Sequence, residues 1–171
     1  MIVDCQQLSP AELYPLLAGL IVPRPIAWVS TVDNAGRSNL APFSFFQLVT
    51  DAPPTLMISI NRRFDGSRKD TSRNIADTGE LVVHLVSPSQ LEVMNASAAE
   101  LAYGDSEIEA LQLATLPSQR IRPARLQQSL LSMECRLVSL TPYPAQQSSC
   151  DIVLAEVLLL HIDDSLLTAD G

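Results

Sequence analysis

Between Arg62 and Asn74 the chain reads RRFDGSRKDTSRN. Arg62, Arg63, Arg68 and Lys69 place four of the chain's eleven Lys and Arg residues within Arg62–Lys69. Thr71 and Ser72 add hydroxyls, and Asp70 is placed to cap a helix whose first-turn N–H groups and dipole favour an anion. Such a segment can hold a phosphate without any catalytic side chain. A second polar set, Ser30, Thr31, Asn39 and Ser44, lies within Pro23–Phe46, PRPIAWVSTVDNAGRSNLAPFSFF, which also holds the single tryptophan, Trp28. These groups can hydrogen-bond the rim of a flat heterocycle while apolar neighbours cover its faces.

Other chemistries are poorly supplied. The sequence has no Gly-rich phosphate loop and no G-x-S-x-G nucleophile elbow. His84, in ELVVHLV, and His161 have no identifiable Ser or Cys partner and read as hydrogen-bonded structural histidines. Cys5, Cys135 and Cys150 are odd in number and lack metal-ligand spacing, so no zinc site is expected. Reduced thiols in the cytoplasm fit them, with Cys135 an inert strand residue. Asp163-Asp164 reads as a solvated turn.

The elements that must position these groups are mostly strands. Ser9-Pro10-Ala11-Glu12 opens a short helix with Leu13, Leu16 and Leu17 on one face, distorted by Pro15 and ended by Gly19. Ile21–Val32 is predicted as a strand rich in residues that suit a pleated surface. Asn34-Ala35-Gly36 tolerates positive φ, and Ser38–Phe46 returns as the second arm of a hairpin. Pro42 cannot donate to a ladder, so that arm must be an edge, bulged or broken there. Asp51–Pro54 is a turn and Thr55–Asn61 a third strand. Lys69–Thr78 is a helix with Gly79 at its C-terminal end. Glu80–Val86 is a fourth strand, Ser87–Gln90 a capping box before a helix from Leu91, and Ser106–Leu111 a short helix. Ser132–Thr141 and Cys150–Ile162 complete six strands. The last is apolar on both faces apart from Glu156 and His161, which calls for a second cover such as a subunit interface. Six strands with few helices predict a small closed or nearly closed β-barrel with Greek-key connections.

Length and composition agree. The chain has 171 residues, 47% of them hydrophobic, enough for the core of one domain over 1–171. Nineteen acidic residues against eleven basic ones give a net charge of −8, which disfavours nucleic acid. No apolar run approaches the roughly 18 residues of a membrane span, and the start lacks the pattern of a signal peptide. A cytoplasmic protein is expected.

Together these segments resemble the flavin reductase-like, FMN-binding split-barrel family. The resemblance rests on PRPIAWVSTVDNAGRSNLAPFSFF, PPTLMISI, RKDTSRNI and TGELVVHLV, and on the stretch from MNASAAELAYGDSEIEALQL to SQRIRPARLQQSLLSMECRL. It covers residues 12 to 163 and implies a mainly β, six-stranded Greek-key split β-barrel with a few short helices. It also implies a homodimer with one FMN per subunit near the interface. The R-P-I-A-W-V-S-T match implies that Arg24, Trp28, Val29, Ser30 and Thr31 approach the flavin. The N-L-A-P-F-S match implies the same of Asn39, Leu40, Ala41 and Ser44. The R-K-D-T match gives Lys69, Asp70 and Thr71 to phosphate or ribityl, with Ser59 and Arg62 beside them. The activity implied is an NADH- or NADPH-dependent flavin reductase passing hydride to the flavin N5, with a monooxygenase or other redox partner. An electron carrier on the same fold is the alternative. The chain departs from the family at Val83-His84, where V-V-N is common, and an R-L-G-G-x-x-Y tail is expected to be missing after the last strand.

Overall fold

The computed structural model describes residues 1–168; the expectation about the end of the chain falls partly outside them. The elements run α1 (Pro10–Leu20), β1 (Ala27–Val32), β2 (Ser38–Phe43), β3 (Phe46–Asp51), β4 (Pro54–Asn61), α2 (Asp70–Thr78) and β5 (Glu80–Leu85). They continue α3 (Leu91–Ala96), α4 (Glu107–Ala110), β6 (Thr115–Leu116), β7 (Arg125–Leu126), β8 (Leu131–Tyr143) and β9 (Cys150–Ile162). The main sheet is antiparallel, in the order β2-β1-β5-β8-β9-β4-β3, and β6 and β7 form a separate pair.

This order forces the sheet to roll. β2 and β3 are its two edges, yet only Ser44 and Phe45 separate them in the chain. Laid flat, seven strands would put the edges about 29 Å apart at roughly 4.8 Å per strand. Three Cα steps reach about 11 Å. The sheet therefore curls into a barrel, and the Ser59 N–H donating to the Phe45 carbonyl at 2.8 Å extends the β3–β4 pairing into the link between its edges. Val29, Ile58, Ile60, Leu81, Val83, Cys135, Val153 and Ala155 fill the inside, and Ile75 of α2 packs onto the same cluster. Outside, Trp28 and Leu40 join Met94, Ile108 and Leu126 in a second cluster beneath α3 and α4.

Several boundaries differ from the expected ones. The first strand starts at Ala27, not Ile21, because Pro23 and Pro25 remove ladder donors. The Ser38–Phe46 arm ends at Phe43, and Phe46–Asp51 begins a further strand on the opposite edge, so the main sheet has seven strands rather than six. Pro42 does lie on an edge strand. Leu40 N–H points off that edge to the Glu107 carboxylate at 2.8 Å, and Pro42 shares its parity, so the missing N–H costs no ladder bond. α1 runs through Gly19 to Leu20 and buries none of its residues. Its Leu16, Leu17 and Leu20 are exposed, as are Leu160 and Ile162 on β9, so the second cover expected over β9 is not supplied there by the described residues. Cys150–Ile162 matches the expected strand at both ends.

His84 explains its own place in the core. It is fully buried on β5; Nδ1 bonds the Trp28 carbonyl at 2.8 Å, and Nε2 accepts the Leu126 N–H at 2.9 Å. Those two partners require the neutral ring with its proton on Nδ1. Burial pushes its pKa down to about 4. In the barrel interior the Cys135 thiol is pushed up to about 12 by burial, which leaves it inert. Because the folded protein holds His84 below its unfolded value near 6.5, its contribution is fully present above pH 6.5. It is lost as pH falls from 6.5 towards 4, by on the order of 3 kcal/mol. In His84→Asn the fall in urea-unfolding stability between pH 6.5 and 4 should be shallower by that amount. Equal slopes in the two proteins would contradict this account.

Candidate functional site

The site is built around the start of α2. Lys69, not Asp70, occupies the N-cap position, with φ −65° and ψ 157° and no side-chain cap hydrogen bond. Asp70 is the first helical residue instead. A lysine has no acceptor, so the first-turn N–H groups lack the usual side-chain oxygen. The Lys69 carbonyl accepts the Arg73 N–H at 3.0 Å, but its side chain makes no hydrogen bond or ion pair among the described residues. Arg63 reaches the Asp70 carboxylate at 3.3 Å, while its buried Nε has no partner.

Behind the helix start lies an amide–hydroxyl network. Asn39 Nδ2 donates to Thr71 Oγ1 at 2.9 Å and, more weakly, to Thr31 Oγ1 at 3.4 Å. Asn74 Nδ2 donates to the same Thr31 oxygen at 3.1 Å. Since Asn39 takes a lone pair of Thr71, the Thr71 proton is left to point at another acceptor.

Two cavities meet at Lys69. One, of about 40 Å³, is lined by Asn39, Ala41, Arg63, Lys69, Asp70 and Thr71, with Ser97–Leu101 and Glu107 on the facing wall. The other, of about 150 Å³, is lined by Tyr14, Pro42, Phe43, Ser44, Phe45, Ser59, Asn61 and Lys69. They follow β2, whose unpaired edge leaves them room. Of the residues expected at the site, the structure brings Asn39, Ala41, Ser44, Ser59, Lys69, Asp70 and Thr71 together. Arg24 sits at the margin: its Nε donates to Ser44 Oγ at 3.4 Å, its guanidinium lies 5.8 Å from the Phe45 ring centroid, and Nη1 bonds the Ala18 and Ile21 carbonyls.

Six others line neither cavity. Trp28 and Leu40 belong to the outer cluster and Val29 to the barrel interior. Ser30 donates to the Ala124 carbonyl at 2.7 Å, and Thr31 lies one step behind Thr71. Arg62 is held by the fully buried Asp151 at 2.8 Å, which Arg68 also approaches at 3.4 Å. The wall residues Ser97–Leu101 and Glu107 and the aromatic pair Tyr14 and Phe45 were not foreseen. They come from other parts of the chain; Ser97–Leu101 and Glu107 lie in the matching stretch MNASAAELAYGDSEIEALQL, which assigns them no role. Burial raises the Glu107 carboxyl above its ordinary value, the Leu40 N–H pulling the other way. Glu134 shows the opposite balance. Burial alone would raise it, but the N–H groups of Gln119 and Arg120 and the His161 ring hold it below the usual range.

Comparison with known proteins fits this geometry. The flavin reductase like domain family matches residues 19–170. A protein of Aquifex aeolicus is 39% identical over 155 residues, covering 91% of this chain and 77% of its own. The crystal structure of nitrilotriacetate monooxygenase component B from Bacillus cereus superposes with a TM-score of 0.94 at 33% identity, covering 99% of this chain and 84% of that one. A split-barrel domain structure from Shewanella frigidimarina, 20% identical with a TM-score of 0.83, covers 100% and 84% and shares the fold. The chain belongs to the flavin reductase-like family of split-barrel, flavin-binding proteins. Among the described residues no group of His, Cys, Asp and Glu could hold a metal ion, and no helix is long and apolar enough to cross a membrane.

Asn39→Ala removes the donor that joins Thr71 to Thr31 in a buried network. We expect a loss of about 1–3 kcal/mol in urea unfolding, the range for a buried group left unpaired. A change under about 0.5 kcal/mol would show that the network does not depend on Asn39.

Proposed function

We propose that this protein binds FMN in the groove along β2 and acts as an NAD(P)H-dependent flavin reductase. The carrying observation is the start of α2: an uncapped helix end with an unpartnered lysine and a buried, unpartnered arginine Nε beside it. That donor set suits a phosphate. The residues therefore fit the group.

In this reading Lys69, Arg63 and the first-turn N–H groups hold the phosphate, and the Thr71 hydroxyl donates to it. Asp70 fixes Arg63 in place. Ala41, Ser44 and Ser59 line the rest of the groove, where hydroxyls and the backbone of β2 orient the ribityl chain and ring. Trp28, Val29, Ser30, Thr31, Leu40 and Arg62 support the groove from behind or beside it rather than through side chains facing into it, and Arg24 borders it through Ser44. The flavin supplies the hydride-accepting N5 when bound, so no acid–base side chain is required of the chain.

The exposed leucines of α1 and the outer residues of β9 form apolar surface that a second copy would cover, which supports a homodimer. The likeness to a monooxygenase component B supports a role in delivering reducing power to a partner oxygenase. Residues 1–171 would act as one domain, in the cytoplasm.

The purified protein should show a flavin absorbance spectrum after incubation with FMN and should oxidise NADH or NADPH only when flavin is present. Flavin bound without any such turnover would instead indicate an electron carrier. Lys69→Ala and Thr71→Ala should each weaken FMN binding by about 1.5–3 kcal/mol in fluorescence titrations. Unchanged affinity in both variants would remove the phosphate from this place.

A further inference from the structure

Trp28 is buried at 1% exposure, and its one polar atom is engaged. The indole N–H donates to Ser97 Oγ at 2.8 Å, and Ser97 Oγ donates to the Met94 carbonyl at 2.7 Å. Ser97 is the C-terminal boundary residue of α3 and the first residue of the wall that faces Lys69–Thr71 across the smaller cavity. The indole therefore does not face the groove; it ties down the place where the wall begins.

The far end of the wall is tied to the same hairpin. Ser106 Oγ and Ser38 Oγ are 2.6 Å apart, and Glu107 accepts the Leu40 N–H at 2.8 Å. Close to that end, the Tyr103 ring meets two guanidiniums, Arg73 at 4.1 Å and Arg37 at 5.4 Å from its centroid. Between the anchors, Ala98 and Ala99 have only the local bonds of a fraying helix end, to the Asn95 and Ala96 carbonyls at 3.1 and 3.3 Å. With so little holding it locally, the wall's position depends on its anchors.

We infer that Trp28 is a positioning residue for the ligand groove: through Ser97 it fixes the Ser97–Leu101 wall opposite the start of α2, and so sets how tightly the groove closes on its ligand. This rests on the flavin reading above, but the anchoring can be measured without flavin. Trp28→Phe keeps an aromatic ring in the cluster and removes the donor; Ser97→Ala removes the acceptor and leaves the ring. Hydrogen exchange on the flavin-free full chain should be roughly 3- to 10-fold faster at the Ala98 and Ala99 amides in each variant. FMN affinity should fall by a similar factor, and the double variant should be no worse than the weaker single one.

Unchanged exchange in both variants would overturn the anchoring. Faster exchange with unchanged FMN affinity would overturn the link from anchor to site. If the unaltered protein binds no FMN, the flavin reading fails, and the exchange result alone then decides whether Trp28 anchors the wall.

Discussion

The structure depends on a short link. Ser44 and Phe45 join the two outermost strands of a seven-stranded sheet, and so short a connection cannot span a flat one. The sheet must roll, and where its edges meet they are joined by a loop rather than by a full ladder. β2 is thus left with an unpaired edge inside an otherwise closed barrel. That edge accommodates Pro42, takes a side-chain acceptor from Glu107, and leaves room for the groove. The opening that gives the fold its site is a consequence of closing the barrel with so few residues.

Charge placement completes the site. The chain carries a net charge of −8, yet the groove is flanked by Lys69 and Arg63 at an uncapped helix end. Arg62 and Arg68, close by in sequence, are spent on the buried Asp151. The basic segment therefore divides into two parts. One half holds the loop to β9, and the other half faces the groove. Asp70 and Glu107 bring two carboxylates to the same cavity, one bridged to Arg63 and one bonded to an edge N–H. They keep the site from being a plain cationic patch.

Much of this was legible in the sequence, and the failures have physical reasons. Turn chemistry at Asp33–Gly36 and Gly79, strand composition in Cys150–Ile162 and the cluster before Asp70 all act locally, so local reading found them. Gly36, at φ 85°, takes the positive angle that its turn needs. The extra strand Phe46–Asp51 was hidden because only two residues part it from β2, and no Gly or Asn marks the break. Trp28 and Leu40 lie in the matching segment, but strand alternation turns them to the outer cluster, a fact set by which face α3 and α4 cover. The groove wall at Ser97–Leu101 lies within the matching stretch MNASAAELAYGDSEIEALQL, but its small residues announce no role of their own, and it is brought over by contacts far apart in sequence. Asp70 looked like the better cap by type. Lys69 takes the position, and Asp70 becomes the first helical residue, bridged to Arg63.

The central claim is that the groove recognises a phosphate at the start of α2, and FMN and riboflavin differ by that phosphate alone. Calorimetric titration of the full chain with each should give FMN binding at least about tenfold tighter, as one charge-assisted hydrogen bond of 1.5 kcal/mol or more requires. Equal affinity for the two ligands would contradict the account.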